Sequence, residues 1–375
     1  MSAASPSGGK YLPTLDGWRA IAILGVMVCH AGDAVFHPEG TYPHAGWHAF
    51  TRHGALGVDI FFGISGFLIC SRLLDEQRES GRIRLGRFYT RRAFRILPPY
   101  LTYLAVLAVL AATGLVAIGP KAWLSCLLFF RNYLPGPQGA GDYTGHFWSL
   151  SVEEHFYLLW PGLLLLCGIP RARRLVVCLA AGIAAWRLVE FRQAWLARCL
   201  PGVGFFPRTD IRLDGLLWGC WAALLLQAPG WRARLERWLS PWAWLLLLGA
   251  FAACVHCQPP LAMMWQAVLI PLLLLGTVLH PGAPAGRLLE TAALRWVGRL
   301  SYSLYLWNSL FFAGMDKPRP LPLGPLQELP WSILPVFACA ALSYYLVERP
   351  MIRLGHSLTA RTQRSAEDAS RALAA

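Results

Sequence analysis

The sequence predicts an all-α integral membrane protein, a bundle of about ten transmembrane helices with both termini in the cytoplasm. Three observations predict it. The 375 residues are 56% hydrophobic and only 14% charged, a balance poorer in charge than that of a soluble domain. Apolar stretches recur from near the N-terminus to about residue 351, each close to the length of ~20 residues needed to cross a bilayer. The basic residues behind the net charge of +14 lie between those stretches. That is the pattern of topology signals rather than of a nucleic-acid-binding face, and no nucleic-acid partner is expected.

Ten spans are expected, at residues 17–34, 55–73, 97–117, 150–168, 174–190, 212–228, 241–257, 261–280, 299–315 and 331–351. Residues 122–133 are apolar but short, and read as a re-entrant or interfacial piece. With the N-terminus inside, the inner segments hold 24 of the 34 Lys and Arg residues, as the positive-inside rule requires. A full crossing by residues 122–133 would move Arg171, Arg173 and Arg174 outside and break that bias. The first apolar run carries Arg19 and His30 and has no small-residue cleavage pattern, so it is expected to be retained. The tail after Gly355 is polar and rich in Ala, Ser and Arg, and is expected to be disordered. One transmembrane domain over residues 1–354 and a cytoplasmic tail over 355–375 complete the organisation.

Seven of the ten cysteines lie inside apolar runs, where Cys behaves as a small hydrophobe. Cys254 and Cys257 flank His256, but no second pair follows, so no metal is expected.

The chemistry begins with His30. It stands about fourteen residues past Asp16, roughly 20 Å into a core about 30 Å thick. An ionisable group there marks a site or a histidine hydrogen-bonded between helices for packing. As a site residue, a neutral imidazole can take the proton of an attacking hydroxyl. A histidine base is oriented by a third group, and Glu153 and Glu154 at the outer end of span four are the candidates, Glu153 the preferred one. Asp33, on His30's own helix, is the rival. Arg92 and Arg95 share one helix face at the inner mouth of span three, where guanidinium forks suit phosphate oxygens. The alternative is plain topology, since eight arginines crowd this segment. Arg91 is a further donor candidate. Ser65 and Gly66 allow close helix approach, or border a narrow acyl channel. Arg208, Asp210 and Asp214 cluster at the outer start of span six and contact either a sugar acceptor or one another. Asp59 is an interfacial charge or a site residue.

Five patterns stand out in order: LDGWR at 15–19, GVDIFFGISGFLI at 57–69, FYTRRAFRILPP at 88–99, WSLSVEEHFY at 148–157, and VGRLSYSLYLWN at 297–308 followed by VERP at 347–350. Together they resemble the acyltransferase family 3 integral membrane proteins, which O-acylate sugars of surface polysaccharides and related acceptors. The similarity runs from about Leu12 to Leu354. It implies a catalytic role for His30, a donor-binding role for Arg19, Arg92 and Arg95, and a site role for Glu348, whose other reading is a pair with an inner arginine. It also implies a multi-pass protein of the bacterial inner membrane. One departure is Asn308, which stands where the family often has histidine. An amide hydrogen-bonds but does not transfer a proton near neutral pH, which leaves His30 as the only buried histidine read as a base.

The expected function is therefore a membrane-embedded O-acyltransferase. It moves an acyl group, an acetyl group in most of the family, from cytoplasmic acyl-CoA to a hydroxyl of a glycan or lipid-linked sugar acceptor at the membrane or its outer face. Acyl-CoA is a co-substrate, with no tightly bound cofactor, and membrane lipids surround the bundle. The rival is a multi-span transporter or flippase without acyl chemistry, which would also place polar residues at midplane. The sequence carries no inverted repeat in support of that rival.

Overall fold

The computed structural model describes residues 11–35, 56–134, 143–259, 261–312, 324–327 and 329–374. Among these residues every regular element is helical. Chain order gives α1 (Pro13–Val35), α2 (Leu56–Ser80), α3 (Leu85–Ala112), α4 (Pro120–Leu127), α5 (Phe147–Gln193), α6 (Trp195–Cys199), α7 (Thr209–Arg212) and α8 (Asp214–Leu226). Then follow α9 (Trp231–Trp238), α10 (Pro241–Cys257), α11 (Ala262–Leu279), α12 (Pro284–Leu289), α13 (Ala292–Phe311), α14 (Ile333–Ser343), a π-helical turn at Tyr344–Glu348, and α15 (Arg349–Ala374).

Helical segments stand at each of the ten expected positions. Three of them, α2, α3 and α11, are long and apolar enough by themselves to cross a membrane, and α9 with α10, bent by 69°, makes a fourth when the pair is counted as one broken span. The 47-residue α5 is broken at Gly168, whose φ of 69° is open to glycine. The break falls where the sequence expects spans four and five to part. The helix α4 has only 8 residues, about 12 Å of rise, too short to cross. The outside of the bundle is apolar: Leu166 is 82% and Trp242 79% exposed, with Leu158, Phe191 and Leu246 also turned outward. Apolar surface on this scale is what a lipid-facing wall presents.

The tail differs from expectation. Residues 355–374 continue as the helix α15 rather than as a disordered segment. The cause is local packing against α3. A Cβ on Gly355 would come within 2.7 Å of the Phe94 side chain, and the buried Thr359 accepts a hydrogen bond from Arg91 Nε at 3.2 Å.

Close approaches fix the frame. In α2, a Cβ at Gly66 would meet the Leu216 carbonyl oxygen of α8 at 1.9 Å, and one at Gly298 of α13 would meet the Asp16 carbonyl of α1 at 1.8 Å. At both places backbone lies on backbone, the contact that small residues permit between membrane helices. A Cβ at Gly57 of α2 would likewise meet the Ala22 carbonyl oxygen of α1 at 2.2 Å, so α1 is held between α2 and α13. In α3, Pro98 and Pro99 follow directly after the arginine-bearing segment.

Candidate active site

Because α1 lies along α13, His30 meets Asn308. The two atoms, His30 Nδ1 and Asn308 Oδ1, are 2.5 Å apart. The other end of the amide is committed: Asn308 Nδ2 donates to the carbonyls of Leu304 at 2.9 Å and Tyr305 at 2.7 Å. Carbonyls only accept, so the amide has one orientation and presents its oxygen to His30. His30 Nδ1 must then carry the proton, which places the imidazole lone pair on Nε2. Asn308 is fully buried. The group at His30 Nδ1 is thus an amide oxygen, whereas the Glu153 carboxylate is engaged by Ser65 and Tyr157. The side chain of Asp33, the rival partner, lies outside the described residues.

A second histidine stands beside the first. His146 is 6% exposed, and its ring centroid is 6.4 Å from that of His30. It packs edge-on against Tyr103 and Tyr305. The Tyr305 hydroxyl donates to the His146 backbone carbonyl and also lies 2.9 Å from Ser149 Oγ. His30 is therefore not the sole buried histidine. The signal that could have found His146 is its place two residues before the WSLSVEEHFY pattern, at the mouth of a helix that turns its aromatics inward.

Glu153 belongs to a different cluster. It accepts from Ser65 Oγ at 2.8 Å and from the Tyr157 hydroxyl at 2.8 Å, and the Arg92 guanidinium sits 4.9 Å over the Tyr157 ring. Ser65 and Gly66 thus divide the two roles read for them: Gly66 packs against α8, and Ser65 faces a cavity. That cavity has a volume of about 90 Å³ and is lined by Arg19, Ser65, Arg92, Arg95, Glu153 and Tyr305, among others. Glu154, the next residue, keeps its buried Oε1 without a hydrogen-bond partner. Arg19 is 3.5 Å from Asp16. Glu348 ends the π-helical turn, a feature frequent at functional sites. It is 2% exposed, accepts from Ser303 Oγ at 2.8 Å, and lies within electrostatic reach of Arg95 and Arg19 rather than in direct contact with either.

A second hollow, of about 260 Å³, opens at the other end of Arg92 and Arg95, bounded by α2, α3 and α15. The two arginines line both hollows. Arg91 faces the second one and is tied to Thr359.

Arg208 and Asp214 do not contact each other. Arg208, 1% exposed, is held by Glu190 at 2.8 Å and Asp210 at 2.6 Å. Asp214 is held by Arg187 at 2.6 Å, and Asp59 by Arg212 at 2.6 Å. Each of these carboxylates meets a cation, Arg208 serving both Glu190 and Asp210, as buried charges require. These pairs bind α5, α7, α8 and α2 together. Outside the spans, Arg208 and hydrogen bonds from Trp186 and Tyr133 hold the Asp210 carboxyl below its ordinary range, against the opposing effect of burial.

Comparison with known proteins finds a family described as an acyltransferase domain matching residues 12–347. Peptidoglycan O-acetyltransferase OatA of Listeria monocytogenes is 25% identical over 374 residues, covering 92% of this chain and 56% of that protein. O-acetyltransferase OatA of Staphylococcus aureus is 26% identical over 371 residues, covering 92% of this chain and 58% of that protein. The chain therefore spans somewhat more than half the length of these curated relatives. No solved structure matches. With the family match running across nearly all of the helices described above, the protein belongs to acyltransferase family 3.

Proposed function

We propose that the chain is a membrane-embedded O-acyltransferase that takes an acyl group, an acetyl group by preference, from cytoplasmic acyl-CoA and delivers it to a hydroxyl of a glycan or lipid-linked sugar at the membrane's outer face. The bundle crosses the bacterial inner membrane ten times with both ends inside. The observation that carries the reading is the pair of hollows joined at Arg92 and Arg95. One faces the basic inner surface, and the other runs to Ser149 and Tyr305, which border the His30–Asn308–His146 cluster.

In this reading the guanidinium forks of Arg92 and Arg95 grip donor phosphates, and the thioester points along the first cavity. Arg19 and Glu348 flank that path. His30, protonated at Nδ1 by Asn308's demand, accepts the acceptor hydroxyl's proton at Nε2. The hydroxyl oxygen attacks the thioester carbonyl, the carbon–sulfur bond breaks, and the thiolate leaves and is protonated by the imidazolium. Glu153, fixed by Ser65 and Tyr157, balances the charge of Arg92. The name of the Listeria monocytogenes relative supports a peptidoglycan-type glycan acceptor.

The test is turnover by purified chain in liposomes, with acyl-labelled CoA supplied on one side and a glycan acceptor on the other. The expected result is labelled acceptor with stoichiometric thiol release. Movement of a solute across the bilayer without thiol release would instead select the transporter.

A further inference from the structure

The inner hollow holds more positive charge than its own carboxylates neutralise. Five arginines of α2 and α3 line it against three carboxylates, Asp75, Glu76 and Glu79. Two of those acids are engaged, Glu76 by Arg87 at 3.5 Å and Asp75 by Arg78 at 3.2 Å and Gln227 at 3.0 Å. Arg91 is turned toward Thr359. Among the described residues Arg72, Arg92 and Arg95 form no ion pair. Unpaired guanidinium groups gathered in a concave site are a standing demand for an anion. The third wall is α15, pressed onto α3 at Gly355, which sets His356 on the rim.

At about 260 Å³ the hollow has more room than one phosphate fills and lies just below the roughly 300–1000 Å³ of sites that take whole drug-sized molecules. It also offers two separated cationic places. Arg92 and Arg95 form the deep one, where the hollows meet. Arg72 and His356 form the outer one, toward the rim.

We infer that Arg72 and His356 are further donor-binding residues, and that the inner hollow takes a nucleotide carrying two separate phosphate groups, the C-terminal helix forming one wall of the site. The inference rests on the acyl-CoA reading above and extends it. Coenzyme A fits the class, since its pyrophosphate and its 3′-phosphate lie on opposite sides of the ribose. The deep pair then takes the pyrophosphate and the outer pair the 3′-phosphate. A pH dependence follows. The charged and titratable groups that line the hollow with His356 are Arg72, Asp75, Glu76 and Glu79 from α2 and Arg87, Arg91, Arg92 and Arg95 from α3. Burial first, and then Arg91, Arg72, Arg87 and Arg95, hold its imidazole below the ordinary histidine value of 6.5. A phosphate arriving between these cations favours the charged imidazole, so binding takes up a proton and tightens as pH falls.

The experiment measures equilibrium binding to the full chain in nanodiscs, with coenzyme A, 3′-dephospho-coenzyme A and adenosine 3′,5′-bisphosphate as probes. Discs of phosphatidylcholine alone are compared with discs containing phosphatidylglycerol, whose headgroup carries the same chemistry. Expected is a loss of about tenfold in coenzyme A affinity for Arg72→Gln and for His356→Gln, the scale of one charge-assisted contact. Neither should change binding of the 3′-dephospho form appreciably. Wild type should bind coenzyme A more tightly at pH 6 than at pH 7.5, and His356→Gln should lose that slope. Thermal unfolding of both variants, unchanged from wild type, certifies that the fold is intact; Arg72→Lys provides a second variant that keeps the charge. Equal affinity of wild type and both Gln variants for coenzyme A overturns this inference and leaves the acyl-CoA donor standing. Absence of coenzyme A binding to wild type in either disc overturns the donor reading itself. Displacement of coenzyme A by phosphatidylglycerol, with lipid retention dependent on Arg72, gives the hollow to a headgroup and overturns the nucleotide.

Discussion

Asn308→Ala removes the one group seen to fix the protonation of His30, and the structure sets the size of the effect. The amide oxygen lies 2.5 Å from His30 Nδ1, and Asn308 is fully buried. When His30 takes a proton during reaction, that contact becomes a hydrogen bond to a charged group, worth about 1.5–3 kcal/mol. At about 1.4 kcal/mol per factor of ten, kcat should fall roughly 10- to 150-fold. The fold should survive, because the carbonyls of Leu304 and Tyr305 keep their helical partners when Asn308 Nδ2 is removed. The KM for the donor should hold, since Arg92 and Arg95 lie in the other cluster. The assay is acyl transfer by wild type, Asn308→Ala, His30→Ala and the double variant. His30→Ala alone should lose about two to four orders of magnitude. In its background Asn308→Ala should cost almost nothing more, because the two act as one unit. A full additional loss in the double variant would mean that Asn308 works independently of His30, and the tautomer argument would fall.

Three further outcomes are expected. Arg92→Lys combined with Arg95→Lys should insert normally, since topology counts both residues alike, yet raise the donor KM at least tenfold by replacing forks with point charges; unchanged donor kinetics would reduce these residues to anchors. Gly66→Ala places a methyl group 1.9 Å from the Leu216 carbonyl and should destabilise the protein by about 1–3 kcal/mol, read as a lower midpoint in thermal unfolding, whereas Ser65→Ala should unfold like wild type and affect turnover only. Reporter fusions after Arg173 should register inside and those after Gly202 outside; the reverse at Arg173 would mean that residues 122–133 cross.

His30, Arg92 and Arg95 were legible because membrane chemistry isolates them: a charge or an imidazole in an apolar run has few bland explanations. The break in α5 was legible for a similar reason, since Gly168, Pro170 and three arginines interrupt a long apolar pattern. What the sequence hid were pairings across long separations. Asn308 orients His30 over 278 positions, and nothing in SYSLYLWN says whether its amide faces a histidine or a carbonyl. Reading Asn308 by what it cannot do, transfer a proton, concealed what it can do. His146 escaped because it precedes the span that buries it. Of the Arg208, Asp210 and Asp214 cluster, Arg208 and Asp210 do contact one another, whereas the partners Glu190 of Arg208 and Arg187 of Asp214 were hidden because they sit one turn apart in a stretch read as apolar span. The helix after Gly355 was missed because composition measures solubility, and the ordering comes from two contacts with α3.

The successive prolines of α3 carry a mechanical consequence. Neither has an amide hydrogen, so the backbone carbonyls four residues earlier, those of Phe94 and Arg95, are released from the helical ladder. Bending is easiest at such a point, and it lies directly after the arginines. The Tyr302 hydroxyl donates to the Ile96 carbonyl at 2.9 Å and latches the segment to α13. The arginine arm below the prolines thus has a pivot and a latch, while α1, which carries His30, is clamped backbone to backbone against Gly298 of α13 in its first turn, at Asp16, and is tied to α13 again where His30 meets Asn308. Donor engagement can swing the arm without disturbing the geometry of the base, so that grip and chemistry reside on mechanically separate parts of one bundle.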